Sequence, residues 1–294
     1  MQLPDVERLC RAVVPGTGAL HVQPQGAGLL SDTYKVTRDG AAYALKVAAE
    51  HPPELGMNRA WEAQVLEAAG GAGLAPRVVY SDGSAVLARW VAGRPWVSGE
   101  SRLAANIRGI AELLRRVHAL TIPEPPRLVG PLDWIGIYAT ALSQRTVLPG
   151  DPALRTAAVS RAQEIAAPPL VAGVLCHSDL HAMNVIRGRE SLILLDWEYA
   201  HVGDPLWDLA GWSANNDLEA GSQWDLLADY LQGVPAQIHW ARFRLLLWLY
   251  DYVCLLWSQL YLTVRDAQDE AGKGIAKRAR LLDARLHLPA HYAA

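Results

Sequence analysis

Residues Val174–Asp196, VLCHSDLHAMNVIRGRESLILLD, constrain the fold more than any other part of the chain. VLCH, VIRG and LILLD are short apolar runs set around a polar loop and a Gly-containing turn, the pattern of short strands rather than of a helix. Asp179 and Asn184 fall in the loop after the first strand. Asp196 ends the apolar run LILL, twelve residues beyond Asn184. That interval leaves room for one β-hairpin turning at Gly188-Arg189-Glu190. A hairpin brings its ends together, so Asn184 and Asp196 are expected side by side.

This juxtaposition carries chemistry. An Asn oxygen and an Asp carboxylate together can hold Mg²⁺, which takes hard oxygen ligands and keeps waters or phosphates in its other positions. Asp179, just upstream, can accept a proton from a hydroxyl. The order H-x-D-x-x-x-x-N followed by a metal-binding Asp is the spacing of a kinase catalytic loop. Two other readings compete. One is a polar loop with an Asp capping the next element. The other takes His177, Asp179 and His181 as an H-x-D-x-H metal cluster of a hydrolase, imidazoles being suited to zinc and similar ions. The second leaves Asn184 and Asp196 without a role, and three residues in the right order on the right local elements favour the kinase spacing over the first.

A kinase catalytic loop requires a phosphate loop and a lysine earlier in the chain, and both are present. Gly26-Ala-Gly28-Leu-Leu-Ser31-Asp-Thr33 precedes the strand YKVT, with backbone N–H groups and the hydroxyls of Ser31 and Thr33 available to phosphates. Lys46, in YALKV, suits α/β-phosphate charge, and Glu62 on the following helix is its expected ion-pair partner. Arg89, Trp90 and Val91 fall at the expected hinge, where backbone groups can meet adenine.

Around these residues the pattern changes once. Strands are expected at 20–25, Thr33–Thr37, Ala42–Val47, Val78–Tyr80 and Ala85–Trp90, with a turn at Arg38-Asp-Gly40 and one helix over Asn58–Ala69. After Gly93 helices dominate, at Arg102–Ala119, at Asp151–Ala166 and from Pro205 onward, including a long apolar helix at 239–266. The expected fold is α+β and bilobed, kinase-like. Residues 1–91 form a small β-sheet N-lobe with one helix, which binds nucleotide. Residues 92–294 form a larger, mostly helical C-lobe with the catalytic loop and acceptor site.

Composition agrees with this and removes other classes. With 294 residues, 51 % hydrophobic and 19 % charged, the chain has material for a sizeable core. Net charge is −3, which excludes a generic nucleic-acid binder. Three scattered cysteines offer neither a disulfide framework nor zinc spacing and favour a reducing compartment. The N-terminus MQLPDVERLCRAVVPG carries charges where a signal peptide needs an apolar run. The most apolar stretch, Leu245–Trp257, has 13 residues and contains Asp251, so no membrane insertion is expected. A soluble, cytoplasmic protein is the expectation.

HSDLHAMN followed by LLDWEYAHVGDPLWDLA resembles the choline kinase and aminoglycoside phosphotransferase superfamily. DWEY and the later Asp-Leu-Ala are most similar to its choline, ethanolamine and thiamine kinase branch. The resemblance covers about residues 20–260 and is strongest at 174–212. It implies ATP, Mg²⁺ and phosphorylation of a small-molecule hydroxyl. It also implies Asp179 as base, Asn184 and Asp196 on metal, Lys46 on phosphate with Glu62, and His177 and Asp208 as supports of the catalytic loop. His118, in RRVHAL, resembles a recurring family feature. The chain departs from the pattern at Asp32, where many relatives carry a neutral residue beside the phosphates. Ser178 stands where protein kinases have Arg, and no A-P-E motif follows Asp196, which disfavours protein substrates.

For the acceptor, Asp251 lies within LLLWLYDYVCLLW, with Trp248 and Trp257 on helical stripes, and Glu198 adds a carboxylate. Aromatics beside an acid suit a cationic alcohol such as choline, ethanolamine or thiamine. The alternatives are a plain core helix with Asp251 paired to Arg242, Arg244 or Arg265, an aminoglycoside or sugar acceptor, and a catalytically weak binding protein with the kinase fold.

Overall fold

A computed structural model describes residues 3–27, 31–48, 55–97, 99–145, 151–166, 173–188, 191–264 and 269–292. Gly28, the turn residues Arg189 and Glu190, and Arg265 lie outside them.

Strands β1 (Leu20–Ala27), β2 (Ser31–Arg38), β3 (Ala41–Ala48), β4 (Val78–Ser81) and β5 (Ala85–Arg89) form an antiparallel sheet in the order β1-β2-β3-β5-β4. The β2–β3 turn is built on Asp39 and Gly40, both at positive φ (50° and 76°), as a two-residue hairpin requires. Along β3, Tyr43, Leu45 and Val47 are buried in alternation and share one apolar cluster with Val6 and Cys10 of helix α1 (Leu3–Val13). The period of two sends Lys46 to the opposite face of the sheet. Helix α2 (Arg59–Gly71) starts at Asn58, whose side chain accepts from Trp61 N–H at 3.1 Å, a regular N-cap. Its Trp61, Val65, Leu66 and Ala69 bury into the main helical core rather than into the sheet cluster.

The remainder is mostly helical: α3 (Ala104–His118), α4 (Pro131–Ser143), α5 (Pro152–Ala166), α6 (Pro205–Asn215), α7 (Ala220–Leu231), α8 (Gln237–Val264), α9 (Glu270–Leu286) and α10 (Pro289–Tyr292). Four three-residue strands interrupt it. Strands β7 (Val185–Arg187) and β8 (Leu192–Leu194) form the expected hairpin, while β6 (Val174–Cys176) pairs with β9 (His201–Gly203) in a second small ladder that the sequence pattern did not indicate. Helix α8 has 28 residues, more than its apolar run. It is long and apolar enough to cross a membrane by length and composition, but 72 % of the relevant window is buried inside this chain, as befits a core helix.

Candidate active site

The loop after β6 is held by its backbone. Asp208, fully buried on α6, accepts the N–H groups of His177 and Ser178, each at 2.8 Å. His118, at the end of α3, donates Nε2–H to the same carboxylate at 3.1 Å and accepts the Tyr230 hydroxyl at Nδ1 at 2.8 Å. Burial alone raises the Asp208 pKa, but the His118 hydrogen bond and the nearby histidines outweigh it and hold it below the ordinary range. The clamp has a purpose in backbone terms. Ser178 has φ 69°, a conformation rare for a side-chain-bearing residue, and its N–H is one of the two that Asp208 accepts.

His177 fills the space beneath the loop. Its Nε2 donates to Leu195 O at 2.8 Å, its Nδ1 accepts Asp179 N–H at 3.2 Å, and its ring lies 4.6 Å from that of Trp197. Burial lowers its pKa, so it is neutral. Both ring nitrogens are engaged, which removes the H-x-D-x-H metal reading.

Asp179, Asn184 and Asp196 are brought together by the hairpin. Val185 pairs with Leu194, and Leu195 N–H bonds Asn184 O at 2.9 Å, so Asn184 and Asp196 flank the same hairpin end. Asn184 Nδ2 donates to Asp179 O at 2.9 Å and to its Oδ2 at 3.3 Å, which leaves the amide oxygen for another ligand. Asp196 also has a positive φ, 65°. His181 Nε2 stands 3.6 Å from Asp179 Oδ2. Burial raises the Asp179 pKa, but the His181 bond and the charges of His181, His177 and Arg278 outweigh it, leaving the carboxyl at about 2.

Lys46 reaches this point from the sheet. Its ammonium bonds Asp196, and lies 2.9 Å from Glu198 Oε2 and 3.3 Å from Glu62 Oε1. Burial would lower its pKa; the three carboxylates raise it well above the ordinary value. Arg59 braces the same acids, at 2.6 Å to Glu62 and 3.2 Å to Glu198. Glu198 is pushed up to about 7, by burial first and by the Asp196 charge second. Among the described residues, ligand atoms of Glu62, Asp196 and Glu198 lie within 4.8 Å of one another and form an all-oxygen donor set. Thr33 sits opposite Lys46 in the β2–β3 register, and Asp32 opposite Val47. At the expected hinge, the N–H groups of Arg89 and Trp90 are used on Arg77 O (2.8 Å) and Ala42 O (3.0 Å), and their side chains lie against Tyr43 and Lys35. Val91 is the first residue beyond these bonds.

A cavity of about 920 Å³ joins the parts. Its walls include Ser31, Asp179, Asn184, Asp196 and Glu198, and the rings of Trp134, Tyr138, Tyr199, Trp207, Tyr250 and Trp257. Trp257 is thus on the wall, where its Nε1–H bonds the Tyr199 hydroxyl at 2.7 Å. Asp251 and Trp248 are not. The reason is the helical period: Tyr250, Val253, Cys254 and Trp257 share the cavity face of α8, and positions 248, 251, 252 and 255 turn away from it. Asp251 is buried against α9 and α10, bonded by Arg285 and by the Tyr292 hydroxyl, and its expected partners are elsewhere: Arg242 pairs with Asp204 and Arg244 bonds Gln223. Trp248 stacks on Tyr252, with the Arg161 guanidinium 4.0 Å from its ring centre. Glu198 touches the cavity, but its hydrogen bonds go to Lys46 and Arg59 rather than toward an acceptor.

Sequence reasoning missed Arg278 of α9 and Asn215 of α6, both on the cavity wall. Arg278 is one of four basic residues in GKGIAKRAR, and nothing local distinguishes it from its exposed neighbours.

A family model described as the phosphotransferase enzyme family matches residues 21–246. No curated protein matches the chain. Among solved structures, a choline/ethanolamine kinase family protein from Mesorhizobium loti has a TM-score of 0.77 at 23 % identity, over 99 % of this chain and 97 % of that one. Choline kinase LicA from Streptococcus pneumoniae has a TM-score of 0.75 at 21 % identity, over 96 % and 98 %. Macrolide 2'-phosphotransferase MphH from Brachybacterium faecium has 0.64 at 19 %, over 98 % of each chain. These likenesses are of fold, the bilobed kinase-like α+β arrangement.

Proposed function

Since the chain belongs to the phosphotransferase enzyme family, we propose that it transfers the γ-phosphoryl group of ATP, with Mg²⁺, to a hydroxyl of a small molecule held in the aromatic cavity. The observation that carries this reading is the meeting of Lys46 from the sheet, Glu62 from α2 and Asp196 from the hairpin at the wall of a cavity that also holds Asp179. Residues 1–91 would then serve the nucleotide, with Val91 meeting adenine, and residues 92–294 the acceptor. ATP use suits a cytoplasmic small-molecule kinase.

Each residue has a role in this proposal. Asp179 accepts the hydroxyl proton and aims the oxygen; its low pKa keeps it ionised throughout the physiological range. Lys46 neutralises phosphate charge, with Glu62 and Arg59 fixing its position. Asp208, His118 and His177 hold the loop on which Asp179 sits. The donors available for Mg²⁺ are the free amide oxygen of Asn184 and the carboxylate of Asp196, hard oxygens as that ion requires. When bound, the ion supplies charge neutralisation at the phosphate oxygens.

A choline-like acceptor is the second reading. It draws on the ring-lined walls, since such rings attract quaternary ammonium groups, and on fold neighbours that are choline and ethanolamine kinases. Its weakness is that Asp251 and Glu198 are both occupied by cations of the protein. An aminoglycoside acceptor has less support, because a polycation calls for a broad acidic face, and the acids on the cavity wall are bonded to His181, Lys46 and Arg59.

Calorimetry with ATP, with and without Mg²⁺, tests the reading on wild type and Asp196→Ala. The wild type should bind ATP in a Mg²⁺-dependent manner and the variant should lose that dependence. Unchanged Mg²⁺-dependence in the variant would put the metal elsewhere.

A further inference from the structure

Arg278 is a cation facing a cavity whose carboxylates are already matched. Its Nη2 donates to Asn215 Oδ1 at 2.5 Å, and Cys254 lines the same cavity. Asn215 donates to the Tyr250 hydroxyl at 2.9 Å, and that hydroxyl donates to Ser178 O at 3.0 Å, the residue before Asp179. The charge is therefore tied through two side chains to the catalytic loop. Among the described residues, the side-chain contact of Arg278 is the amide of Asn215, and no carboxylate pairs with it. The acids on the cavity wall are engaged elsewhere: Asp179 by His181 and Asn184, Asp196 by Lys46, Glu198 by Lys46 and Arg59. The rest of the wall is largely aromatic, with His181 as a second basic group.

Arg278 shares the field of the Asp179 carboxylate but touches no acid, and a guanidinium without an ion-pair contact, beside rings, attracts an anion and repels an ammonium ion. We propose that the acceptor is an alcohol bearing an anionic group on an apolar body, and that Arg278 is the counter-ion that selects it. This rests on the phosphotransferase reading above and replaces the cationic alcohol with its opposite in charge.

The test uses three probes on one para-hydroxymethylphenyl body, their binding read by calorimetry without turnover: para-hydroxymethylbenzoate, its isosteric carboxamide, and the bulkier para-hydroxymethylbenzyl trimethylammonium. Each is titrated into wild type, Arg278→Gln and Arg278→Glu, and Mg²⁺-ATP is titrated separately into all three proteins. The benzoate should bind wild type about tenfold or more tightly than the carboxamide, the scale of a charge-assisted hydrogen bond, with the ammonium weakest. Arg278→Gln should level benzoate and carboxamide, and Arg278→Glu should favour the ammonium, with Mg²⁺-ATP affinity unchanged. The inference is overturned by wild-type preference for the ammonium or the amide, or by no benzoate binding. It is equally overturned by a benzoate preference that survives Arg278→Gln, or by a fall in Mg²⁺-ATP affinity in that variant, which would assign the guanidinium to the triphosphate. Absent Mg²⁺-ATP binding in wild type would sink the phosphotransferase reading instead, while the three probes would still decide the charge preference.

Discussion

Asp208→Asn removes one negative charge from the centre of the clamp on the Asp179 loop while keeping its shape. In the wild type, Oδ2 accepts from His177 N–H and His118 Nε2–H, and Oδ1 accepts from Ser178 N–H. An amide oxygen in the Oδ2 position can keep the first two bonds, now neutral on the acceptor side. The amide nitrogen then faces Ser178 N–H, donor to donor. An unsatisfied buried donor costs about 1–3 kcal/mol, and loss of charge assistance costs about 1 kcal/mol for each of the other two bonds. The sum is roughly 3–5 kcal/mol, or on the order of 10 °C in Tm for a chain of this size. Ser178 is the residue at positive φ, so its release should also misplace Asp179 and lower kcat more than nucleotide affinity. The folded pKa of Asp208 is depressed, so the carboxylate's contribution is present above the unfolded value and is lost as pH falls through the folded one. The Tm gap between wild type and variant should hold between about pH 5 and 8 and narrow below about pH 4. Thermal unfolding across that range is the assay. A variant within about 1 kcal/mol of wild type at pH 7 would refute the clamp as the loop's support.

Lys46→Met should leave Glu62, Asp196 and Glu198 facing one another; because Glu198 is already raised to about 7, its folded form should hold a proton that the unfolded chain releases, so the variant's Tm should fall as pH rises from 5 to 8, as a melting series would report. Asp251→Asn should lower Tm strongly, by the scale of a broken buried ion pair, about 3–5 kcal/mol, while KM for any acceptor stays unchanged; a changed KM with intact Tm would restore Asp251 to the acceptor site.

How far the sequence could be read follows from which patterns are local. The β2–β3 hairpin was legible because Asp39-Gly40 sits between alternating apolar residues, and that alternation also gave Lys46 its face. The Asp179 loop was legible because Asp179, Asn184 and Asp196 are tied by a single hairpin. Helices α1 and α4 were not anticipated: α1 is short with only Val6 and Cys10 buried, and α4, PLDWIGIYATALS, is apolar nearly all round with Gly136 within it. Strand β9 has three residues and exists through its pairing with β6. The Asp251 error has a tertiary origin. Its partner Arg285 is 34 residues away on the next long helix, whereas the arginines weighed for it lay within 14 residues on or beside α8. Glu198 looked free because its two cations come from β3 and the start of α2, more than a hundred residues earlier.

The central claim is that Asp179 acts in the chemical step of phosphoryl transfer and not in binding. Asp179→Asn, compared with wild type for Mg²⁺-ATP affinity by calorimetry and for kcat on one alcohol that the wild type phosphorylates, tests it directly. The expected result is nucleotide affinity within about twofold of wild type and a kcat lower by roughly 10²–10⁴, the range for a lost general base. Near wild-type kcat in the folded, nucleotide-binding variant would contradict the account.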